Sequence, residues 1–360
     1  MKVLVISPSI YPITIGGMEI YNYYFIKELK KLGHKVSLLS IHSGKISLGI
    51  PQHKMYSNNS FLQSIQIFFH LLLNKYDIVH IPYCSNSFIA NPIGIFKLFF
   101  KKNDYVIYIH GGGMYKWDSP KKQNLFFKKA KAIFSVSDPI KKEYEERTGR
   151  KVTTILPLIP YEESKKDRKE IRDLLNIDFD KKIMIYVGSI KSIKGSDFLT
   201  NSFIKLGKKF FKENNLIMIF IGDGNLRIDL EKVVLQNNMQ SEIIFLGRKQ
   251  KEEVQDYLNA SDYFIFASQF EGTPLSLLEA MHNKLLIIAT NVTGINNIIH
   301  NKTNGLLFSR DDFDSFKCAL EFALLNNIEC NKMIEHSKNI TLKNFDYQKN
   351  ILEHLRLYAQ

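Results

Sequence analysis

Cysteine is scarce in this chain: Cys84, Cys318 and Cys330 are an odd number in 360 residues, with no metal-ligand spacing. That leaves no basis for a disulfide framework or a cysteine zinc site, and it fits a reducing cytoplasm. Long apolar runs are missing too. No window approaches the roughly 18 uninterrupted apolar residues of a membrane span. Residues 61–73 come nearest, and Gln63, Ser64, Gln66 and His70 interrupt them. The first residues hold one lysine and a short apolar run before Ser7 and Pro8, which reads as a buried strand rather than a signal peptide. No weakly hydrophobic or repetitive stretch marks disorder. No Gly-x-Gly-x-x-Gly follows the first apolar run, which argues against an ordinary dinucleotide dehydrogenase. Acidic residues are sparse in one half only: residues 1–160 carry 22 Lys and Arg against 9 Asp and Glu, whereas 161–360 carry 27 of each. The whole net charge of +13 therefore lies in the first half, and one domain is expected to face something anionic.

What is present is a rhythm. With 360 residues and 45% hydrophobic content, two domains are expected. Short β-branched runs at 2–6, 35–39, 77–81, 105–109 and 132–136 read as buried strands, with helical patterns near 18–32, 61–74, 87–101, 120–130 and 138–147. Such alternation implies a parallel sheet with helices on both faces. Pro157 and Pro160, followed by the charged run 162–170, interrupt it and read as an interdomain linker. Strands then resume at 183–187, 216–221, 243–245, 263–266, 285–289 and 305–308. The expected architecture is α/β, with two doubly wound, Rossmann-like domains at 1–160 and 161–340, and ligands beyond the C-terminal strand ends in a cleft between them. The helical stretch 311–359 ends in a segment, 341–360, that is expected to pack back on the N-terminal domain.

The most informative segment runs from Phe270 to Met281. Thr273-Pro274 reads as a helix start, with Thr273 as N-cap and Pro274 at the first helical position, where its missing N–H costs nothing. The free N–H groups of Leu275 and Ser276 then make an anion site suited to a diphosphate. Glu271 stands in the loop before this helix. Glu279 lies on it and is able to accept hydrogen bonds from vicinal hydroxyls such as those of a ribose. Taken singly, each glutamate also reads as a helix-dipole or surface charge. Gly188-Ser189-Ile190-Lys191-Ser192-Ile193-Lys194-Gly195 places a strand end, a tight loop and a helix start in order. Lys194 at the mouth of that helix suits a leaving diphosphate, although both lysines also read as solvated loop residues. Gly16-Gly17 ends the loop after the first strand and lets backbone approach a ligand. His110, closing a strand before Gly111-Gly112-Gly113, projects past the sheet edge. Ser137 reads as the cap of the helix after it.

The pattern Glu271-x7-Glu279, with the other segments, resembles retaining GT-B glycosyltransferases of the large family four. The likeness runs from residue 2 to about 308, with agreement at Gly222-Asp223-Gly224, Leu246-Gly247-Arg248 and Asn304-Gly305-Leu306. It implies a GT-B fold and a transferase moving a sugar from a nucleotide-sugar donor to a saccharide acceptor with retention. Lys194, Glu271 and His110 take the catalytic positions by this likeness. Gly16, Gly17, Gly188, Ser189, Lys191, Gly272, Thr273, Pro274, Leu275, Ser276 and Glu279 take the donor-binding ones. The chain is read as offering no Asp-x-Asp metal-binding pair, and no cofactor or metal is expected. The sequence departs from the family at Ser189, where an Arg is usual and Lys191 is the nearest replacement, and at Lys284, Leu286 and Asn297. A GT-B-type sugar-nucleotide epimerase and a non-catalytic membrane-binding paralogue are the alternatives.

The basic half points to the acceptor. Lys97, Lys101, Lys102, Lys121, Lys122, Lys128, Lys129 and Lys131 interleave with Phe96, Phe99, Phe100, Phe126 and Phe127. The ordinary reading puts these phenylalanines in the core. For any one helix that reading is preferred, but confinement of the whole charge excess to the acceptor domain favours an anionic membrane surface carrying a lipid-linked saccharide, for polysaccharide assembly at the inner face of the cell membrane, and this is the expectation adopted. Nucleic acid is disfavoured, because no recognition motif accompanies the charge.

Overall fold

The computed structural model describes the chain except residues 15, 42–45, 47, 56–58, 84–86, 112–119, 158–160, 162 and 360, and only the backbone of 87, 88, 91, 120–124 and 359. Cys84, Gly112, Gly113, Pro160 and Glu162 thus lie outside the described residues, as do the side chains of Lys121 and Lys122. The chain divides into two units, Met1–Pro160 with Phe345–Gln360, and Tyr161–Asn344.

The first unit begins with β1 (Lys2–Ser7), α1 (Gly17–Lys31), β2 (Lys35–Ser40), β3 (Gln52–Lys54) and α2 (Ser60–Leu73). It continues through β4 (Ile78–Tyr83), α3 (Ser87–Phe99), β5 (Asp104–Ile109), α4 (Pro120–Lys129), β6 (Ala132–Ser135), α5 (Asp138–Thr148) and β7 (Thr153–Thr154). Its parallel sheet has the order β3-β2-β1-β4-β5-β6-β7. The central strands are buried on both faces, as β-branched runs between two helix layers must be. The edge strands β3 and β7 were not foreseen, because they are two or three residues long and partly exposed.

The second unit holds α6 (Arg168–Leu174), β8 (Lys182–Val187), α7 (Ser196–Glu213), β9 (Leu216–Ile221), α8 (Arg227–Gln236), β10 (Ile243–Gly247), α9 (Lys251–Asn259) and β11 (Tyr263–Phe266). Then follow α10 (Leu275–His282), β12 (Leu286–Thr290), β13 (Leu306–Phe308), α11 (Phe313–Leu325) and α12 (Asn327–Asn344). Its six parallel strands are ordered β10-β9-β8-β11-β12-β13. The charged run after the prolines is not a plain linker. Asp167 and Glu170 form a reciprocal capping box that starts α6 inside it. Asp256 accepts from Ser164 Oγ and Lys165 N, each at 2.8 Å, tying the run to α9.

The last helix, α13 (Tyr347–Ala359), returns to the first unit. Ile351, His354 and Tyr358 are buried there, and Tyr347 donates to the Tyr24 carbonyl at 2.9 Å. Of the phenylalanines interleaved with lysine, Phe96, Phe126 and Phe127 fill the core of this unit and Phe100 packs partly against it; only Phe99 stands out into solvent. Lys101, Lys128 and Lys129 are exposed, and the ordinary reading is the correct one for Phe96, Phe126 and Phe127.

Candidate active site

In an open parallel sheet, ligands sit at the C-terminal edge where the strand order reverses. In the second unit that point lies between β8 and β11, neighbours in the sheet although β9 and β10 intervene in sequence. The segments leaving these strands are locked together. Gly195, at φ 68°, ends the 3₁₀ turn Ser192–Lys194, and a Cβ there would stand 2.0 Å from the Ala267 carbonyl oxygen. The Gln269 N–H donates to the Ile193 carbonyl at 2.9 Å. This contact brings two distant residues into one ion pair: Lys194 Nζ lies 2.5 Å from Glu271 Oε1, with side chains 30% and 10% exposed. A carboxylate so enclosed needs a partner, and holding one fixes the position of the ammonium. Lys191 and Ser189 are exposed on the same loop. Lys191 is the N-cap of the 3₁₀ turn, in extended backbone.

The helix start differs by one residue from the sequence reading. Pro274 is the N-cap of α10, in extended backbone, and Leu275 is its first residue, so Thr273 is not the cap. Proline's fixed φ is compatible with the extended cap conformation. The first intrahelical bond runs from Leu278 N to the Pro274 carbonyl at 3.4 Å. The amides of Leu275 and Ser276 keep the orientation that suits an anion. Behind them, Gly294 at φ 90° passes so close that a Cβ would meet the Glu271 carbonyl oxygen at 2.0 Å, and Glu271 N donates to the Thr293 carbonyl at 3.3 Å. Gly272, between Glu271 and Thr273, is buried.

Glu279, one helical turn in, is only 6% exposed and lies 3.8 Å from Nζ of Lys251, itself 3% exposed. Burial of Tyr161 itself, then the charge of Glu279, pushes the Tyr161 hydroxyl upward. Tyr161 stacks on His282 with ring centroids 3.8 Å apart.

In the first unit Gly16 caps α1 in extended backbone and Gly17 begins it. Glu19 folds back over Gly16, where a Cβ would stand 2.4 Å from Glu19 Oε2, and burial raises the Glu19 carboxyl. His110 follows β5, its N–H bonded to the Tyr83 carbonyl at 3.2 Å. The ring lies between Tyr21 and Tyr108, each 4.5 Å away, and buried Nε2 has no hydrogen-bond partner. Burial, then the neighbouring His354, lowers the imidazole to about 3, so it is neutral near pH 7. Ser137 occupies the N-cap position of α5, but its hydroxyl makes no cap bond, which corrects the capping expectation.

Residues 167–340 match the family of glycosyl transferases group 1, and residues 15–163 match glycosyltransferase family 4. The chain belongs to the group 1 glycosyltransferases. An uncharacterized glycosyltransferase of Methanocaldococcus jannaschii is 25% identical over 100% of this chain and 98% of that protein. A UDP-Gal:alpha-D-GlcNAc-diphosphoundecaprenol alpha-1,3-galactosyltransferase of Escherichia coli is 32% identical over 40% of this chain and 38% of its own length. Among solved structures, Anabaena HepE in complex with UDP and glucose superposes with a TM-score of 0.82 at 15% identity, covering 100% of this chain and 99% of that one. The fold of this glycosyltransferase is GT-B.

Within the glycosyltransferase, sequence reasoning assigned Lys194 and Glu271 separate duties and did not foresee that they pair. It missed Lys251 altogether. A signal existed: Gln250 and Glu253 form a capping box, which puts Lys251 at the first position of a helix, where a cation opposes the macrodipole. Contrary to the expectation of none, two Asp-x-Asp spacings are present, at Asp178–Asp180 and Asp312–Asp314. Both have structural duties: Asp180 Oδ2 accepts from Asn215 Nδ2 at 2.9 Å, and Asp312 caps α11 through the Ser315 N–H. Among the described residues no three His, Cys, Asp or Glu side chains are grouped to hold a metal ion.

Proposed function

We propose that this glycosyltransferase binds a nucleoside-diphosphate sugar on its second unit and transfers the sugar, with retention, to a lipid-linked saccharide bound by its first. The observation that carries the reading is the Lys194–Glu271 pair, set at the switch point of the sheet beside the free amides of α10. A diphosphate at that helix end meets backbone N–H groups and one ammonium together. As the bond from the anomeric carbon to the diphosphate oxygen breaks, charge grows on that oxygen and Lys194 stabilises it, with Lys191 as the second cation in place of the family's arginine. The acceptor hydroxyl attacks from the same face, and its proton passes to the departing phosphate oxygen. Neutral His110 serves as a hydrogen-bond partner for the sugar. Glu279 receives the ribose hydroxyls, and no metal is required. The diphosphoundecaprenol named for the Escherichia coli relative supports a polyprenyl-linked acceptor at the inner face of a cell membrane, in polysaccharide assembly.

The test is a panel of nucleotide sugars scored first by thermal stabilisation, where a ligand at a hundred times its Kd adds about 2.7 kcal/mol, and then by transfer to lipid-linked acceptors. One donor is expected to stabilise the protein and to yield a product of unchanged anomeric configuration. An inverted product overturns the stereochemistry. Interconversion of the donor without acceptor replaces transfer by epimerisation.

A further inference from the structure

Helix α2 contains no charged residue, and its two faces are both apolar. Ile67 and Leu71 are buried against the sheet. On the opposite side Phe61, Ile65, Phe69 and Leu73, spaced four apart, form a stripe along the helix, and Phe61, Phe69 and Leu73 are 69%, 53% and 80% exposed. So long an exposed apolar stripe stands where a cover is needed. The neighbouring α3 extends it with Leu98 and with Phe99, which is 72% exposed. Lys102 Nζ donates to the Leu72 carbonyl at 2.6 Å, holding the ends of the two helices together. The chain covers the other side of this sheet itself, through α13 packed on α1 by Tyr347 and His354.

Charge identifies the cover. Helices α2, α3 and α4 contain five lysines and not one Asp or Glu. Lys75 and Lys101 are exposed just beyond the C-terminal ends of α2 and α3, and Lys128 and Lys129 are exposed on α4, which packs on α3. Lys97 pairs with Asp104 at 2.8 Å, but the exposed Lys75, Lys101, Lys128 and Lys129 leave an excess of positive charge, so a second copy applied by two-fold symmetry would set like charge against like. An anionic bilayer meets both features: acyl chains receive the phenylalanine stripe and lipid phosphates receive the lysines. The stripe begins at Phe61, at the sheet edge where β3 ends and where β5 delivers His110.

We infer that the outer face of α2 and α3 docks on an anionic membrane, with Phe61, Phe69, Leu73 and Phe99 entering the acyl boundary. This rests on the membrane-linked acceptor proposed above and names the surface that meets the lipid. It is not the one marked by Phe96, Phe126 and Phe127, which are core residues.

The experiment uses the full chain with vesicles of phosphatidylcholine alone or mixed with phosphatidylglycerol. The variants are F69E with F99E on the stripe and, as control, I228E with L235E, exposed apolar residues of α8 in the second unit. The expected result is sedimentation of the wild type with the anionic vesicles only, a loss of at least ten-fold in F69E/F99E and none in I228E/L235E. Unchanged melting temperature and unchanged transfer to a water-soluble acceptor must accompany the loss. Wild-type binding retained by F69E/F99E overturns the assigned surface while leaving a membrane acceptor in place. No sedimentation of the wild type at low salt overturns both. A wild-type dimer that F69E/F99E dissociates overturns the lipid and makes the face a subunit contact.

Discussion

Lys194 can help the donor by holding it or by stabilising charge as the diphosphate leaves, and kinetics separate the two. If its work is on the departing group, Lys194→Ala lowers kcat by about a hundred- to a thousand-fold, the scale of a lost transition-state donor, with donor affinity nearly unchanged. A rise in KM alone makes it a binding residue. The buried pair beneath the proposed ribose site makes a different prediction. Lys251→Met removes the ammonium beside the enclosed Glu279 carboxylate, and the fold is expected to lose up to about 3–5 kcal/mol in denaturant unfolding. Adding Glu279→Gln should restore much of that stability, while Glu279→Gln by itself weakens nucleoside diphosphate binding by about 1–3 kcal/mol in calorimetric titration. Unchanged affinity removes Glu279 from the donor site.

At the scale of the element, α13 and strands β4 and β5 share a cluster in which three histidines are held neutral. The His80 ring bonds the Tyr358 hydroxyl through Nδ1, and His354 Nε2 lies 3.3 Å from the Tyr21 hydroxyl. Burial lowers all three imidazoles, His110 and His354 to about 3 and His80 also well below its usual value. The unfolded chain titrates them near 6.5, so below that pH it binds protons that the folded unit refuses. Their stabilising contribution is complete above about pH 6.5 and is lost as pH falls towards 3. For one such histidine the loss is about 2 kcal/mol between pH 6.5 and 5. Melting followed from pH 7 to 5 should therefore show a steep fall, and His354→Leu should shallow the slope by about one proton. A slope that does not change excludes His354 from the cluster that sets it.

For the molecule as a whole, the proposed function supplies positive charge without a metal, from Lys194, Lys191 and the α10 amides on the donor side. Turnover with the matched donor is expected to survive excess EDTA, and its abolition with recovery on adding a divalent cation would overturn the metal-free reading. Much of the architecture was legible beforehand, because the central strands are four- to six-residue β-branched runs buried on both faces. The short edge strands β3 and β7 were not, since so few partly exposed residues leave no pattern. The basic first half was legible as a charge, but not which of its phenylalanines face outward. Lysine beside phenylalanine in sequence does not say which way a helix turns, and Phe96, Phe126 and Phe127 turn inward.

The sequence by itself determined the strand–helix alternation, the charge asymmetry and the Glu271-x7-Glu279 helix start, since each rests on local periodicity or backbone chemistry. Only the tertiary structure decided that Lys194 meets Glu271 across 77 positions, that Lys251 lies buried beside Glu279, and that α13 supplies His354 behind His110. Those contacts depend on which strands become neighbours and on close backbone approaches such as Gly195 on Ala267. Strand order is settled by the packing of the whole sheet, and no local run of residues encodes it.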